Sequence, residues 1–184
     1  LDEVELGTNY ALIISTNAGL WRYKIGDTIK FTSLSPFRFQ ISGRTKHYIN
    51  TFGEEVIVDN AEHALSVACK ATEAIIRDYT AGPVYFSRGE AGAHEWIIEF
   101  EKQPTDFQSF CEKLDATLRE INSDYDAKRF KDLALRFPII HNAKQDTFYR
   151  WMKSRGKLGG QNKVPRLAND RTYLDDLLHM IRES

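Results

Sequence analysis

The sequence predicts an α+β fold: a run of short antiparallel strands at the front, then a compact domain in which helices lie against a small sheet. Three observations predict it. Residues 9 to 42 alternate apolar and polar side chains between turn signals. Residues 105 to 121 carry an apolar stripe at helical spacing. Strand and helix patterns then mix without the regular alternation of a doubly wound sheet.

Taken in order, Tyr10, Leu12 and Ile14 make the first alternating strand, Ile29 and Phe31 the second, and Phe37, Phe39 and Ile41 the third. Asn17-Ala18-Gly19, Gly26-Asp27 and Ser33-Leu34-Ser35-Pro36 read as the turns of a meander. A meander of about 40 residues has open edges and too little core of its own, so it wants a larger partner. Residues 47 to 58 read as two short strands around Gly53. A helix follows over 59 to 71, with Asp59 and Glu62 spaced as a capping box and Ala61, Leu65 and Ala68 on one face.

Strands return at 73 to 79, 84 to 86 and 95 to 101. In the last, Trp96, Ile98 and Phe100 alternate with Glu95, Glu99 and Glu101, as across a sheet with one buried and one polar face. Pro104-Thr105 opens the next helix, capped by Thr105 and Gln108, with Phe107, Phe110, Leu114, Leu118 and Ile121 as its stripe. The charged stretch 124 to 131 reads as a solvated helix end or loop. Residues 137 to 141 read as a strand, 144 to 153 as a short helix carrying Phe148 and Trp151, and 169 to 182 as a final helix turning Leu174, Leu177, Leu178 and Ile181 inward.

Composition narrows the function. With 184 residues, 42% of them hydrophobic and 28% charged, the chain can bury a core without disulfide or metal support. Lys and Arg total 25 against 26 Asp and Glu, a net charge of -1, which argues against a nucleic-acid partner. Cys69 and Cys111 form no C-x-x-C pair, so neither a zinc site nor a disulfide framework is expected, and a reducing, cytoplasmic setting fits. The longest aliphatic run, 11 to 14, is far too short to span a bilayer, so no membrane partner is expected. The chain opens on Leu1 rather than Met, which reads as a piece of something longer.

Gly156-Lys157 is not a phosphate loop, because Trp151 and Leu158 stand where that motif needs glycine and a hydroxyl. No G-x-G-x-x-G is present. His47, His63, His94, His141 and His179 share no ligand spacing, and none is assigned to a metal. One asymmetry stands out. Residues 144 to 166 hold seven cations (Lys144, Arg150, Lys153, Arg155, Lys157, Lys163, Arg166) and one anion, Asp146, a net +6 that leaves -7 on the remainder. With Gly156, Gly159 and Gly160 this reads as a mobile basic loop suited to an anion such as phosphate.

Three segments carry a resemblance: Gly19-Leu20-Trp21-Arg22-Tyr23-Lys24-Ile25-Gly26-Asp27, Ser42-Gly43-Arg44-Thr45-Lys46, and Gln161-Asn162-Lys163-Val164-Pro165-Arg166. In this order and separation they resemble the C-terminal part of the auxin-responsive acyl-acid amido synthetases, the Gretchen-Hagen family of the firefly-luciferase-like acyl-adenylate-forming superfamily. Residues 8 to 62 look particularly like bacterial members.

The resemblance implies residues 1–43 as the C-terminal β portion of a large adenylate-binding domain, 44–46 as a hinge, and 47–184 as a mobile C-terminal domain. It implies an ATP-dependent ligase that joins a carboxylic acid to an amine, such as an amino acid, through an acyl-AMP intermediate. Asp27 would accept both ribose hydroxyls of the nucleotide. Arg44 would meet ribose or phosphate oxygens, Lys46 would be the hinge residue, and Lys163 the catalytic lysine. Lys157 competes for that last role but lacks the K-x-P-R context. Mg2+ is expected with ATP, with no ligand identified in this chain.

Plant members carry a lysine in the loop after the hinge, where this chain has Glu54-Glu55. The family's phosphate loop, adenine segment and acyl pocket lie upstream of the region matched. The chain is therefore expected to need a missing N-terminal large domain and to be inactive alone. Two alternatives stay open: an acyl-thioester (CoA) ligase of the same superfamily, and a non-catalytic binding or interaction module.

Overall fold

The computed structural model describes residues 3–44, 48–87, 90–159 and 163–182. It opens on a three-stranded antiparallel meander of β1 (Asn9–Ile14), β2 (Tyr23–Leu34) and β3 (Phe37–Arg44). Gly26-Asp27 is not a turn. It lies inside the continuous strand β2, where the register against β1 slips between Ala11 and Ile13. Gly26 sits there at φ +94°, a conformation open to glycine at little cost, so the residue type that marks a turn here marks a bulge.

A two-stranded hairpin follows, β4 (Tyr48–Ile49) against β5 (Val56–Ile57), as expected around Gly53, and leads into α1 (Val58–Thr72). The capping box is misplaced in the sequence reading. Ile57 is the N-cap residue and its N–H donates to Asn60 Oδ1 at 3.2 Å. Asp59 instead pairs with Lys30 of β2 at 3.2 Å, tying helix to meander, and Glu62 accepts from the Tyr79 hydroxyl at 2.8 Å.

The second sheet has the order β6 (Ile75–Val84), β7 (Ala93–Lys102), β8 (Ile139–Ala143). Residues 80 to 83, left between two strands by the sequence reading, belong to β6. β7 and β8 are parallel, so α2 (Phe107–Ile121), α3 (Ser123–Arg129) and a 3-10 turn (Phe130–Asp132) form the crossover between them. Asp106, not Thr105, caps α2, accepting from the Gln108 N–H at 2.9 Å; Thr105 is drawn away by the Thr72 carbonyl, to which its hydroxyl donates at 3.1 Å. α4 (Thr147–Ser154) and α5 (Thr172–Arg182) complete the chain.

Helices cover both faces of this sheet. Trp96, Ile98 and Phe100 of β7 pack with Ala64 and Leu65 of α1 and Phe110, Leu114 and Leu118 of α2. Ile97 faces the other way, onto Phe148 and Trp151 of α4 and Leu174 and Leu177 of α5. This corrects the one-sided sheet expected from the sequence, since Glu95 and Glu99 share the Ile97 face and are buried. Gly92, just before β7, allows a close approach: a Cβ there would lie 2.3 Å from the Phe52 ring.

The charged stretch 124 to 131 is also less solvated than expected. Arg129 is buried and forks onto Asp115 of α2, with Nε to Oδ1 and Nη2 to Oδ2 each at 2.9 Å. The Tyr125 hydroxyl donates to the same Oδ1 at 2.7 Å, so one carboxylate locks α3 onto α2.

Candidate functional site

Asp27 stands one residue past the Gly26 bulge, half-buried, and the backbone register of β2 and β3 pairs it with Arg44. A bulge re-aims the residues beside it, which is why such irregularities gather at functional positions. The neighbouring register pair is Thr28 and Gly43, with the Ser42 hydroxyl donating to Thr28 Oγ1 at 3.2 Å. Asp27 and Arg44, 17 positions apart in sequence, are thus brought opposite each other by the ladder. Lys46 and His47 lie outside the described residues, as do Gly160, Gln161 and Asn162.

Lys163 is at the other sheet and is exposed. The residues after it are held fast along the free edge of β6. The Thr80 hydroxyl donates to the Pro165 carbonyl at 2.6 Å, the Ala81 N–H to the Arg166 carbonyl at 2.9 Å, and the Ala168 N–H to the Ala81 carbonyl at 3.1 Å. Val164 enters the core under α4 and α5 while Leu167 enters the core under α1 and α2. Lys157 is exposed too, but its setting differs: its N–H donates to the Met152 carbonyl at 3.0 Å, in the turn that ends α4.

The basic segment is therefore not one loop. Residues 147 to 154 are helical and bury Phe148, Trp151 and Met152. Arg155 is spoken for by Asp176 at 2.5 Å and stacks over the Trp151 and Tyr173 rings. Among the described residues, no group of three His, Cys, Asp or Glu is placed to hold a metal ion. No described helix is long and apolar enough to cross a membrane.

The GH3 family C-terminal domain matches residues 59–172 and the GH3 family central domain matches residues 1–44. The chain belongs to the GH3 family. It is 25% identical over 189 residues to the indole-3-acetic acid-amido synthetase GH3.10 of Arabidopsis thaliana, covering 96% of this chain and 31% of that one. Putative indole-3-acetic acid-amido synthetase GH3.9 of the same plant is also 25% identical, over 190 residues, with 97% and 31% coverage. The solved structure of the GH3.15 acyl acid amido synthetase superposes with a TM-score of 0.74 at 21% identity, over 96% of this chain and 33% of that one. This GH3 chain thus spans about a third of the length of the curated relatives it matches.

Sequence reasoning missed the buried carboxylates of this GH3 domain. Glu54, which the sequence places in the loop after the hinge without a sign of its burial, is fully buried; its Oε1 lies 2.9 Å from His94 Nε2 and its Oε2 accepts from the Phe52 N–H at 2.7 Å. Asn122 donates to the carbonyls of Glu54 and Glu55, at 3.0 and 3.3 Å, so the loop after β4 is clamped to the start of α3. Burial alone would raise the Glu54 pKa, but the His94 hydrogen bond and charge together with the Phe52 N–H carry it below its ordinary value. On the opposite face Glu95 is held between His141 and Arg171, at 2.7 and 2.8 Å. Glu99 caps α4, accepting from the Asp146 and Phe148 N–H groups at 2.9 and 3.1 Å.

A carboxylate whose folded pKa is depressed stabilises the fold above its unfolded pKa and loses that contribution as pH falls through the folded value. Urea unfolding followed from pH 6 downward should therefore show stability falling once the pH drops below about 4.5, the ordinary glutamate value. Glu54→Gln should lower the stability at pH 6 and flatten that fall. An unchanged acid limb in the variant would remove Glu54 from the account.

Proposed function

We propose that the chain is the C-terminal part of an ATP-dependent acyl-acid amido synthetase. The carrying observation is that Lys163, inside the stretch matched by the GH3 family C-terminal domain, is an exposed cation at the head of a segment fastened to the sheet edge. A carboxylate oxygen of the acid would attack the α-phosphorus of ATP as the bond to pyrophosphate breaks. Lys163 would offset the negative charge gathering there. An amine nitrogen would then attack the acyl carbon, AMP leaving with the bonding electrons and the amine giving up a proton. Asp27 would accept both ribose hydroxyls, since an ionised carboxylate has two oxygens for two donors, and Arg44, its register partner, would serve the same nucleotide. Mg2+ would travel with the phosphates.

In this reading residues 1–43 end a large nucleotide-binding domain, 44–46 with Lys46 form the hinge, and 47–184 swing as the small domain. The meander's surface supports it. Phe39 and Ile41 share one face with the register partners Phe31 and Ile29 and stand 53% and 67% exposed, while Trp21 is 82% exposed. Apolar side chains in that number suit a face covered by the upstream part of the same polypeptide. Free Cys69 and Cys111, both thiols pushed up by burial, fit a cytoplasmic protein. We assign it further to the bacterial branch, a reading supported by the likeness of residues 8 to 62 to bacterial members.

Product analysis tests the acceptor. The full-length protein given ATP, a carboxylic acid and an amino acid should form the amide with AMP and pyrophosphate. Formation of a CoA thioester and no amide would replace the amido synthetase by a thioester ligase.

A further inference from the structure

We propose that Arg166 is a positioning residue that sets where Lys163 begins, without touching substrate; this rests on Lys163 being the catalytic lysine. Three hydrogen bonds with β6, two donated by it and one accepted, hold the backbone of residues 165 to 168, and among these residues Arg166 adds a side chain that reaches across to two further strand residues. Its guanidinium Nη1 donates to Asp78 Oδ1 and, at 3.3 Å, to the Tyr79 carbonyl. Its guanidinium carbon lies over the Tyr79 ring, 4.6 Å from the ring centroid. Nε is 3.9 Å from Glu62 Oε1, the oxygen that also accepts from the Tyr79 hydroxyl at 2.8 Å. Arg166 is thus fixed by α1 and β6 together.

The physical need is clear. A lysine has four rotatable bonds and a point charge at their end, so it sweeps a wide volume unless its backbone origin is fixed. The guanidinium is engaged by this chain's own groups: two carboxylates, a ring and a carbonyl surround it. A planar cation over a ring fits that set, and a lysine at 166 would keep the charge but lose the ring contact of the guanidinium and the approach of Nε to Glu62.

In the full-length protein, Arg166→Ala should lower the rate of carboxylate-dependent pyrophosphate exchange at saturating ATP about 10- to 100-fold, the scale on which small misplacements slow reactions. KM for ATP should stay within about twofold, because a residue acting through another leaves ground-state binding alone. Arg166→Lys should recover part of the rate. Hydrogen exchange should rise at the Ala81 and Ala168 amides while β7 stays protected. Thr80→Val, which removes the bond to the Pro165 carbonyl and nothing else, should shift rate and amide exchange the same way by less, and it serves if Arg166→Ala does not fold.

An unchanged rate, a rise in KM for ATP alone, or amides that stay protected in Arg166→Ala would each overturn the positioning role while leaving Lys163 in place. Full exchange activity in Lys163→Ala would instead overturn the assignment of the lysine, and the positioning role with it.

Discussion

Arg129→Met should destabilise the fold by about 3–5 kcal/mol, the cost of leaving one member of a buried ion pair without its partner. Both side chains are nearly enclosed, 6% and 7% exposed, so water cannot take over the orphaned Asp115 carboxylate. Arg129 also donates to the Leu135 carbonyl at 2.9 Å, which would lose its donor as well. Adding Asp115→Leu should restore part of the loss, since an apolar pair of similar size can replace a buried ion pair at little cost. It should not restore all of it, because the Tyr125 hydroxyl then loses its acceptor at about 1–3 kcal/mol. Tyr125→Phe in that background should recover this last part. Denaturant midpoints of the single, double and triple variants check the order, and a single variant as stable as the parent would show the pair to be idle.

Lys163→Ala should slow adenylation by the full-length protein about a thousandfold. An ammonium about 4 Å from developing negative charge, at an effective dielectric of about 20, is worth roughly 4 kcal/mol. Losing most of that is about three powers of ten in rate. In the proposed role the effect belongs in the rate at saturating ATP more than in KM, because negative charge at the α-phosphorus would grow only as it becomes five-coordinate. The fold should be untouched, because Lys163 is exposed and it is Val164 and Leu167 that enter the cores.

The strand and helix types were legible where burial follows a single period. The stripe of α2 is such a case: Phe110, Leu114 and Leu118 are buried as its spacing demands. Where two layers meet one strand the period misleads. Glu95 and Glu99 read as water-facing because alternation assumes one wet face, whereas α4 and α5 cover that face, and His141 of β8, Arg171 just before α5 and the backbone N–H groups at the start of α4 partner the carboxylates. Gly26 was misread for a different reason: a positive φ serves a turn and a bulge equally, and only the partner strand distinguishes them. Glu54 and His94 are 40 residues apart, and nothing local tells a loop glutamate that it will be folded inward.

Within the site, the chain's charge pattern could not select a lysine, because seven cations share residues 144 to 166. The K-x-P-R context selected Lys163. What sequence could not reveal is that Pro165 and Arg166 are the anchoring points along β6. Lys46, chosen for the hinge, falls outside the described residues.

The most direct measurement is exchange of labelled pyrophosphate into ATP by the full-length protein, with its acid substrate, for the parent, Lys163→Ala and Lys157→Ala side by side. The account predicts acid-dependent exchange in the parent, near loss in Lys163→Ala and near-parent exchange in Lys157→Ala. Exchange that survives in Lys163→Ala and disappears in Lys157→Ala would contradict it.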